Sequence, residues 1–122
     1  MKLKGINLPS PDPMRLAAFY RSVLGAEVDD SHGGPNRVEI WFGARDDDTV
    51  YIVATRAEGF TPQNFGACQG FEFYVADAEA ECKRIVALGI EVKTPPQNVP
   101  WGFRFFNIRD PDGNGIDIVQ KL

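Results

Sequence analysis

The stretches "DPMRLAAFYRSVLGAEV" (12–28) and "DAEAECKRIVALGIEV" (77–92) are two copies of one pattern. Each opens on an Asp and runs the length of a helix. Each closes on Leu-Gly, one residue, an acid and a Val: Leu24-Gly25-Ala26-Glu27-Val28 and Leu88-Gly89-Ile90-Glu91-Val92. The offset is 65 residues at the Asp and 64 at the Leu-Gly, about half of a 122-residue chain. Two copies at that period predict two examples of one supersecondary unit. Facing each other, they would offer equivalent positions from both halves to one cup.

The first copy carries strong helix punctuation. Asp12 is an N-cap, and Pro13 stands at the first helical position, where its missing N–H costs nothing. Leu16, Phe19, Tyr20, Val23 and Leu24 make one apolar stripe, and Gly25 ends the helix in the left-handed conformation. In the second copy Asp77 caps and Glu79 and Glu81 favour the positive end of the helix dipole. Cys82, Ile85 and Val86 are expected to face inward, and Gly89 stops the helix.

Strands surround both helices. "LKGINL" and "GFEFYV" precede them. "AEV", "RVEIWFG" and "TVYIVAT" follow the first, and "IEVK", "FRFFNI" and "GIDIVQ" follow the second. Turn residues cluster in "SHGGPN" (31–36), "RDDD" (45–48) and "DPDGNG" (110–115). The last lacks a Glu at the twelfth position of a calcium loop, so it reads as a hairpin turn. Each half is therefore β-α-β-β-β. Module one spans about 1–56, a connector about 57–68 and module two about 69–122 of a single domain, residue numbers as in the sequence.

Composition excludes several classes. The net charge of −4 argues against a nucleic-acid partner, which needs a basic face. No apolar run reaches the roughly 18 residues of a membrane span, and the N-terminal "MKLKGINLPSP" lacks the apolar core of a signal peptide. Cys68 and Cys82 fit no metal spacing, and Cys82 reads as a small buried hydrophobe. A reduced, cytoplasmic setting is the expectation.

"FYRSVLG" at the end of the first helix and "DPDGNGIDIVQ" near the C-terminus, with the doubled β-α-β-β-β plan, resemble the vicinal oxygen chelate superfamily. That group includes glyoxalase I, extradiol dioxygenases and the fosfomycin-modifying and bleomycin-binding resistance proteins. The resemblance covers nearly the whole chain. It implies an α+β fold in which two tandem βαβββ modules form a cup-like, curved, eight-stranded mixed sheet with the helices outside. It also implies a homodimer, which would cover exposed strand edges.

Metal-dependent members of that family hold a divalent ion on the inner faces. One ligand of each module lies on its first strand, seven residues before the capping Asp. Those slots here are Gly5 and Gly70. Another is the acid after "DPDGN-x-I", here Asp117, whose mate, by aligning "GIDIV" with "TVYIV", is Tyr51. Three slots are empty or poor and one carboxylate remains, whereas a catalytic divalent site usually takes about three protein ligands. No metal and no cofactor are expected. A divalent metal on non-standard ligands from His32, Glu39, Glu72 and Asp117 is the alternative.

Strand alternation says what lines the cup instead. Phe71, Phe73 and Val75 belong with the helix, leaving Gly70, Glu72 and Tyr74 inside. Val38, Ile40 and Phe42 leave Glu39 and Trp41 inside. Val50 and Ile52 leave Tyr51 and Val53, and Ile6 and Leu8 leave Asn7. For the strand at 103–108 the family register puts Trp101, Phe103, Phe105 and Asn107 inside, whereas polarity alone would choose Arg104. The surface so assembled is aromatic and acidic, with Glu39, Glu72, Asp117 and no Lys. Such a wall suits a planar or cationic small molecule. On the alternative reading the aromatics fill the barrel or a dimer interface, and Glu39 and Glu72 pair with Arg37 or Arg104.

Three functions follow. The first is a metal-independent small-molecule binder, as the resemblance to bleomycin-binding proteins implies. The second is a lyase, isomerase or hydrolase using Glu72 or Glu39, whose desolvation among aromatics would raise the pKa. His32, the only histidine, would join as acid or base if its turn folds over the cup. The third is the metal enzyme with non-standard ligands.

Overall fold

Both helices begin on their Asp. Asp12 accepts a hydrogen bond from the Arg15 N–H at 3.1 Å, and Asp77 one from the Ala80 N–H at 3.0 Å; each such cap contributes about 1 kcal/mol. Gly25 has φ +72°, and the N–H groups of Gly25 and Ala26 reach the carbonyls of Arg21 and Tyr20. These are the two bonds that close a helix on a left-handed residue.

The structure, a computed structural model, describes residues 1–60 and 70–122. The chain divides into two compact units between residues 62 and 63. Residues 61–68 of the expected connector, Cys68 among them, lie outside the described residues. The first unit runs β1 (Gly5–Ser10), α1 (Pro13–Leu24), β2 (Glu27–Asp29), β3 (Arg37–Trp41) and β4 (Tyr51–Arg56). The second runs β5 (Gly70–Tyr74), α2 (Ala78–Ala87), β6 (Thr94–Val99), β7 (Phe103–Arg109) and β8 (Gly115–Lys121). The fold is α+β, with two βαβββ modules. The eight strands form two four-stranded sheets, β1-β4-β3-β2 and β5-β8-β7-β6, and neither closes into a barrel. In each the first strand lies parallel to the fourth and the other pairs are antiparallel.

Each helix covers one face of its own sheet. Leu16, Ala17, Tyr20 and Val23 of α1 are buried with Val38, Ile40, Ile52 and Ala54 of the sheet. Phe42 meets Tyr20 edge-on, ring centroids 5.8 Å apart. In the second unit Ala78 and Ile85 of α2 are buried with Phe106, Ile108, Ile116 and Ile118. Burying one such aliphatic side chain is worth about 1.5–3 kcal/mol.

Four expectations change. Val86 is exposed: one position past the fully buried Ile85, it is turned about 100° away from the sheet. Cys82 is only half-buried, and that burial, with Glu79 beside it, pushes its thiol pKa up. The second strand of module two is "TPPQNV" rather than "IEVK". It is an edge strand, where Pro95 and Pro96 can face outward, and the ladder shifts register between Thr94 and Gln97 to pass them. Val50, expected on β4, precedes it and is exposed.

The turns behave as their residues predict. Asp110 Oδ1 accepts from the N–H groups of Asp112 and Asn114 at 2.9 and 3.0 Å, closing the β7–β8 hairpin that places Asp117. Asp46 accepts from the Asp48 and Thr49 N–H groups, both at 3.0 Å, before β4.

Candidate functional site

Arg104 decides which face of β7 is free. Its guanidinium bonds Glu79 of α2 at 2.7 Å and Asn98 at 3.0 Å, so Arg104 belongs to the helix side with Phe106 and Ile108. Phe103, Phe105 and Asn107 alternate to the other face, as the family register implies. Polarity alone would have reversed the strand.

That other face of the second sheet is concave. A cavity of about 290 Å³ is lined by Glu72, Tyr74, Phe103, Phe105 and Asp117, with Trp101, Val99 and Val119 completing it. Tyr74 and Trp101 are 74% and 73% exposed, although both are large and apolar. Tyr74 and Phe103 lie near-parallel, centroids 6.1 Å apart. Glu72 and Asp117 are ladder partners on adjacent strands. Asn107 is buried, and its amide donates to Asp117 Oδ1 at 2.6 Å and to the Ile116 carbonyl at 3.2 Å. Asn107 therefore orients a carboxylate from behind the cavity. Glu72 is exposed, so the desolvation expected of it is absent.

The equivalent face of the first module is occupied by its own side chains. Trp41 and Tyr51 stack at 4.2 Å with planes 12° apart, and Trp41 is 8% exposed. The Lys4 ammonium lies 5.0 Å from the Trp41 ring and the Arg45 guanidinium 5.2 Å from it. Glu39 accepts from Arg37 at 3.0 Å and from the Trp41 indole N–H at 3.2 Å. Arg45 also bonds Asp29. The hydroxyl and N–H of Ser31, followed by Arg45, hold the Asp29 carboxyl far below the usual carboxylate range. The expectation of a wall without Lys thus fails: Lys4 lies over the two aromatics. The pairing of Glu39 with Arg37 is present, and that of Glu72 with Arg104 is not.

The donor set does not fit the metal the resemblance implies. A Cβ on Gly70 would stand 1.8 Å from the Gly115 carbonyl oxygen, so that slot has no room for a ligating side chain. At Gly5 a Cβ would meet the Tyr51 ring at 3.4 Å. The ladder also corrects the pairing of slots. Gly5 is opposite Tyr51 and Gly70 opposite Gly115, so the mate of Asp117 is Val53, not Tyr51. Val53 cannot ligate either. Asp29, His32 and Glu39 bring ligand atoms within 4.8 Å of one another. Both carboxylates there already accept from guanidinium groups, and His32 is exposed in its turn, 3.9 Å from Asp29.

The residues expected on the open faces therefore sort by module. Glu72, Tyr74, Trp101, Phe103, Phe105 and Asp117 come together around one cavity, with Asn107 behind it. Trp41, Tyr51 and Glu39 form the filled network, and Asn7 is exposed on β1. Val99 was missed because its strand was placed too early. Val119 follows from extending the alternation of Asp117 by one step. Lys4, Asp29 and Arg45 carried no periodic signal, since each stands at or beyond a strand end.

A family model, the Glyoxalase/Bleomycin resistance protein/Dioxygenase superfamily, matches residues 2–118. Similar solved structures include TnmS3, an antibiotic-binding protein from Streptomyces sp. CB03234, at 24% identity and TM-score 0.76, covering 100% of this chain and 97% of that one. TioX from Micromonospora sp. ML1 matches at 21% identity and TM-score 0.72, over 100% of both chains. A lactoylglutathione lyase from Agrobacterium tumefaciens matches at 24% identity and TM-score 0.71, over 98% of this chain and 92% of that one. At these identities the likeness concerns the fold. No curated protein sequence matches the chain. Among the described residues no helix is long and apolar enough to cross a membrane.

Proposed function

The chain belongs to the glyoxalase/bleomycin resistance protein/dioxygenase superfamily, and from that premise we propose that it is a metal-independent small-molecule-binding protein whose ligand sits on the open face of module two. The observation that carries this reading is the cavity of about 290 Å³ walled by exposed aromatics and two carboxylates. Large apolar groups are rarely left this bare without a partner. The volume lies at the small end of the roughly 300–1,000 Å³ of ligand pockets. It suits a fused two-ring or three-ring group better than a whole large antibiotic. The likeness to an antibiotic-binding protein is consistent with binding as the role. Gly5, Gly70 and Val53 support metal independence.

A thermal-shift screen of ring-bearing small molecules, run with and without EDTA, tests the reading. Binding to the native state raises the melting point. The expected result is a set of ring compounds that stabilise the protein equally with and without EDTA. Stabilisation that vanishes with EDTA and returns with zinc, iron or manganese would overturn metal independence. The same proposal includes a homodimer, supported by the exposed Val86 and Leu88 of the second module, and a reducing cytoplasmic setting; a monomeric mass by light scattering at high micromolar concentration would contradict the dimer.

The adjacent Glu72 and Asp117 support a second reading, a lyase or isomerase in which one, as the carboxylate, removes a proton and the other, as the carboxylic acid, delivers its own. Glu39 is engaged with Arg37 and the Trp41 indole, which favours Glu72 and Asp117 as the pair in this reading. Turnover of a bound ring compound that Glu72→Gln abolishes would favour this second reading over simple binding.

A further inference from the structure

We propose that the open face of module two reads two groups on one ligand: a planar ring over Tyr74, Phe103 and Phe105, and a protonated nitrogen one strand step away, against Glu72 and Asp117. This rests on the proposed binding role and specifies its ligand.

The strand ladder carries the inference. Glu72 and Asp117 are opposite each other, and Asn107 is opposite Asp117, so these three form one row across β5, β8 and β7. Two residues along the same strands, Tyr74, Val119 and Phe105 form the next row on the same face. Residues two apart on a strand are separated by about 6.8 Å. The face is therefore ruled into a polar row and an apolar row at fixed spacing. A ligand that satisfies both must carry its charge at about that distance from its ring centre.

Charge sets the sign of the polar row. Asp117 is held by Asn107, a neutral donor that leaves its charge uncancelled. Glu72 has no hydrogen-bond or ion-pair partner among the described residues, and none of the described residues lining the cavity is a Lys, Arg or His. In module one the corresponding row contains Glu39, which is paired with Arg37 inside the protein. What module one supplies for itself, module two leaves for a ligand. Amines, amidines and guanidines fit, since charge-assisted bonds to carboxylates are stronger than neutral ones. Carboxylates, phosphates and phosphonates do not fit.

Four probes test this on the intact protein by NMR titration: naphthalene bearing an aminoethyl arm, a hydroxyethyl arm or a carboxyethyl arm, and ethylammonium with no ring. The aminoethyl probe is expected to bind about tenfold more tightly than the hydroxyethyl probe. The carboxyethyl probe should be weakest of the ring compounds, and ethylammonium should show no saturable binding. Glu72→Gln and Asp117→Asn, each nearly isosteric and on the open face, should each shrink the ammonium-over-alcohol preference several-fold. Equal affinity of the three ring probes, or a preference untouched by both substitutions, overturns the two-group inference and leaves the binding role standing. Tighter binding of the carboxyethyl probe overturns it too. Failure of every ring probe to bind overturns the inference and the binding role together.

Discussion

In module one the sheet face away from its helix is covered by the protein's own side chains; in module two the corresponding face is bare. Trp41 and Tyr51 stack on each other beneath Lys4 and Arg45, and Glu39 is paired. Tyr74 and Trp101 are exposed beside two carboxylates that have no counter-ion in the cavity wall among the described residues. The scaffold is repeated closely: capped helices, Leu-Gly stops, a parallel first and fourth strand. Divergence is concentrated on the face that the core does not constrain. A repeated fold thus keeps two sheets while committing one open face to stability and releasing the other for recognition.

The sharpest way to break this comparison is to truncate one tryptophan in each module. Trp41→Ala removes a buried ring with a stacked partner, so it should cost about 3–5 kcal/mol in urea unfolding. Trp101→Ala removes an exposed ring and should change stability by no more than about 0.5 kcal/mol, while weakening ring-ligand binding by about 1–3 kcal/mol. If the two variants lose similar stability, the assignment of a filled and a bare face is wrong.

The two first-strand glycines sharpen the comparison. At Gly70, φ is +155° and an added Cβ would collide with the Gly115 carbonyl, so Gly70→Ala should destabilise by about 3 kcal/mol or more. At Gly5 the added methyl only touches the Tyr51 ring at 3.4 Å, and Gly5→Ala should cost less than about 1 kcal/mol. Chemical denaturation of the pair reads the difference. Equal tolerance would mean that the Gly70 slot is open enough for a side chain, and metal independence would lose its main support.

A smaller effect is expected from the polar network of module one. The Asp29 carboxyl titrates far below its usual value because Ser31 and Arg45 bond its charged form. Unfolded, it would titrate near about 3.9. Its contribution to stability is therefore complete above that value and is lost as the pH falls toward the folded-state pKa. Asp29→Asn should flatten the decline of melting temperature between about pH 5 and pH 2 and leave the profile above about pH 6 parallel to wild type. An unchanged acid limb would show that these bonds do not persist in solution.

Much of this was legible in the sequence because it is local or periodic. Asp12, Pro13 and Gly25 mark a helix by chemistry within a few residues, and alternation placed Glu72 and Tyr74 on one face, whereas Phe103, Phe105 and Asp117 joined them through the register that the family resemblance implies. What stayed hidden depends on partners distant in sequence. Lys4 reaches Trp41, and Arg45 reaches Asp29, from outside any regular pattern. The edge strand lies at 94–99 rather than at "IEVK", because the apolar pattern of "IEVK" resembles a strand whereas an outer strand also tolerates Pro-Pro. Arg104 was ambiguous until its partner Glu79 on α2 was known. The match of Asp117 to Val53 needed the ladder, since a shift of two residues preserves strand alternation and local similarity favours the other pairing.

The chain has two tryptophans, one in each module, and their indole N–H resonances report the two faces separately. Trp41 donates to Glu39 and is buried; Trp101 is exposed beside the cavity. Titration with the aminoethyl naphthalene, with resonances assigned through Trp101→Phe, is the most direct test. The Trp101 signal should shift saturably while the Trp41 signal stays in place. A saturable shift of Trp41 with Trp101 unmoved would contradict a ligand site on the open face of module two.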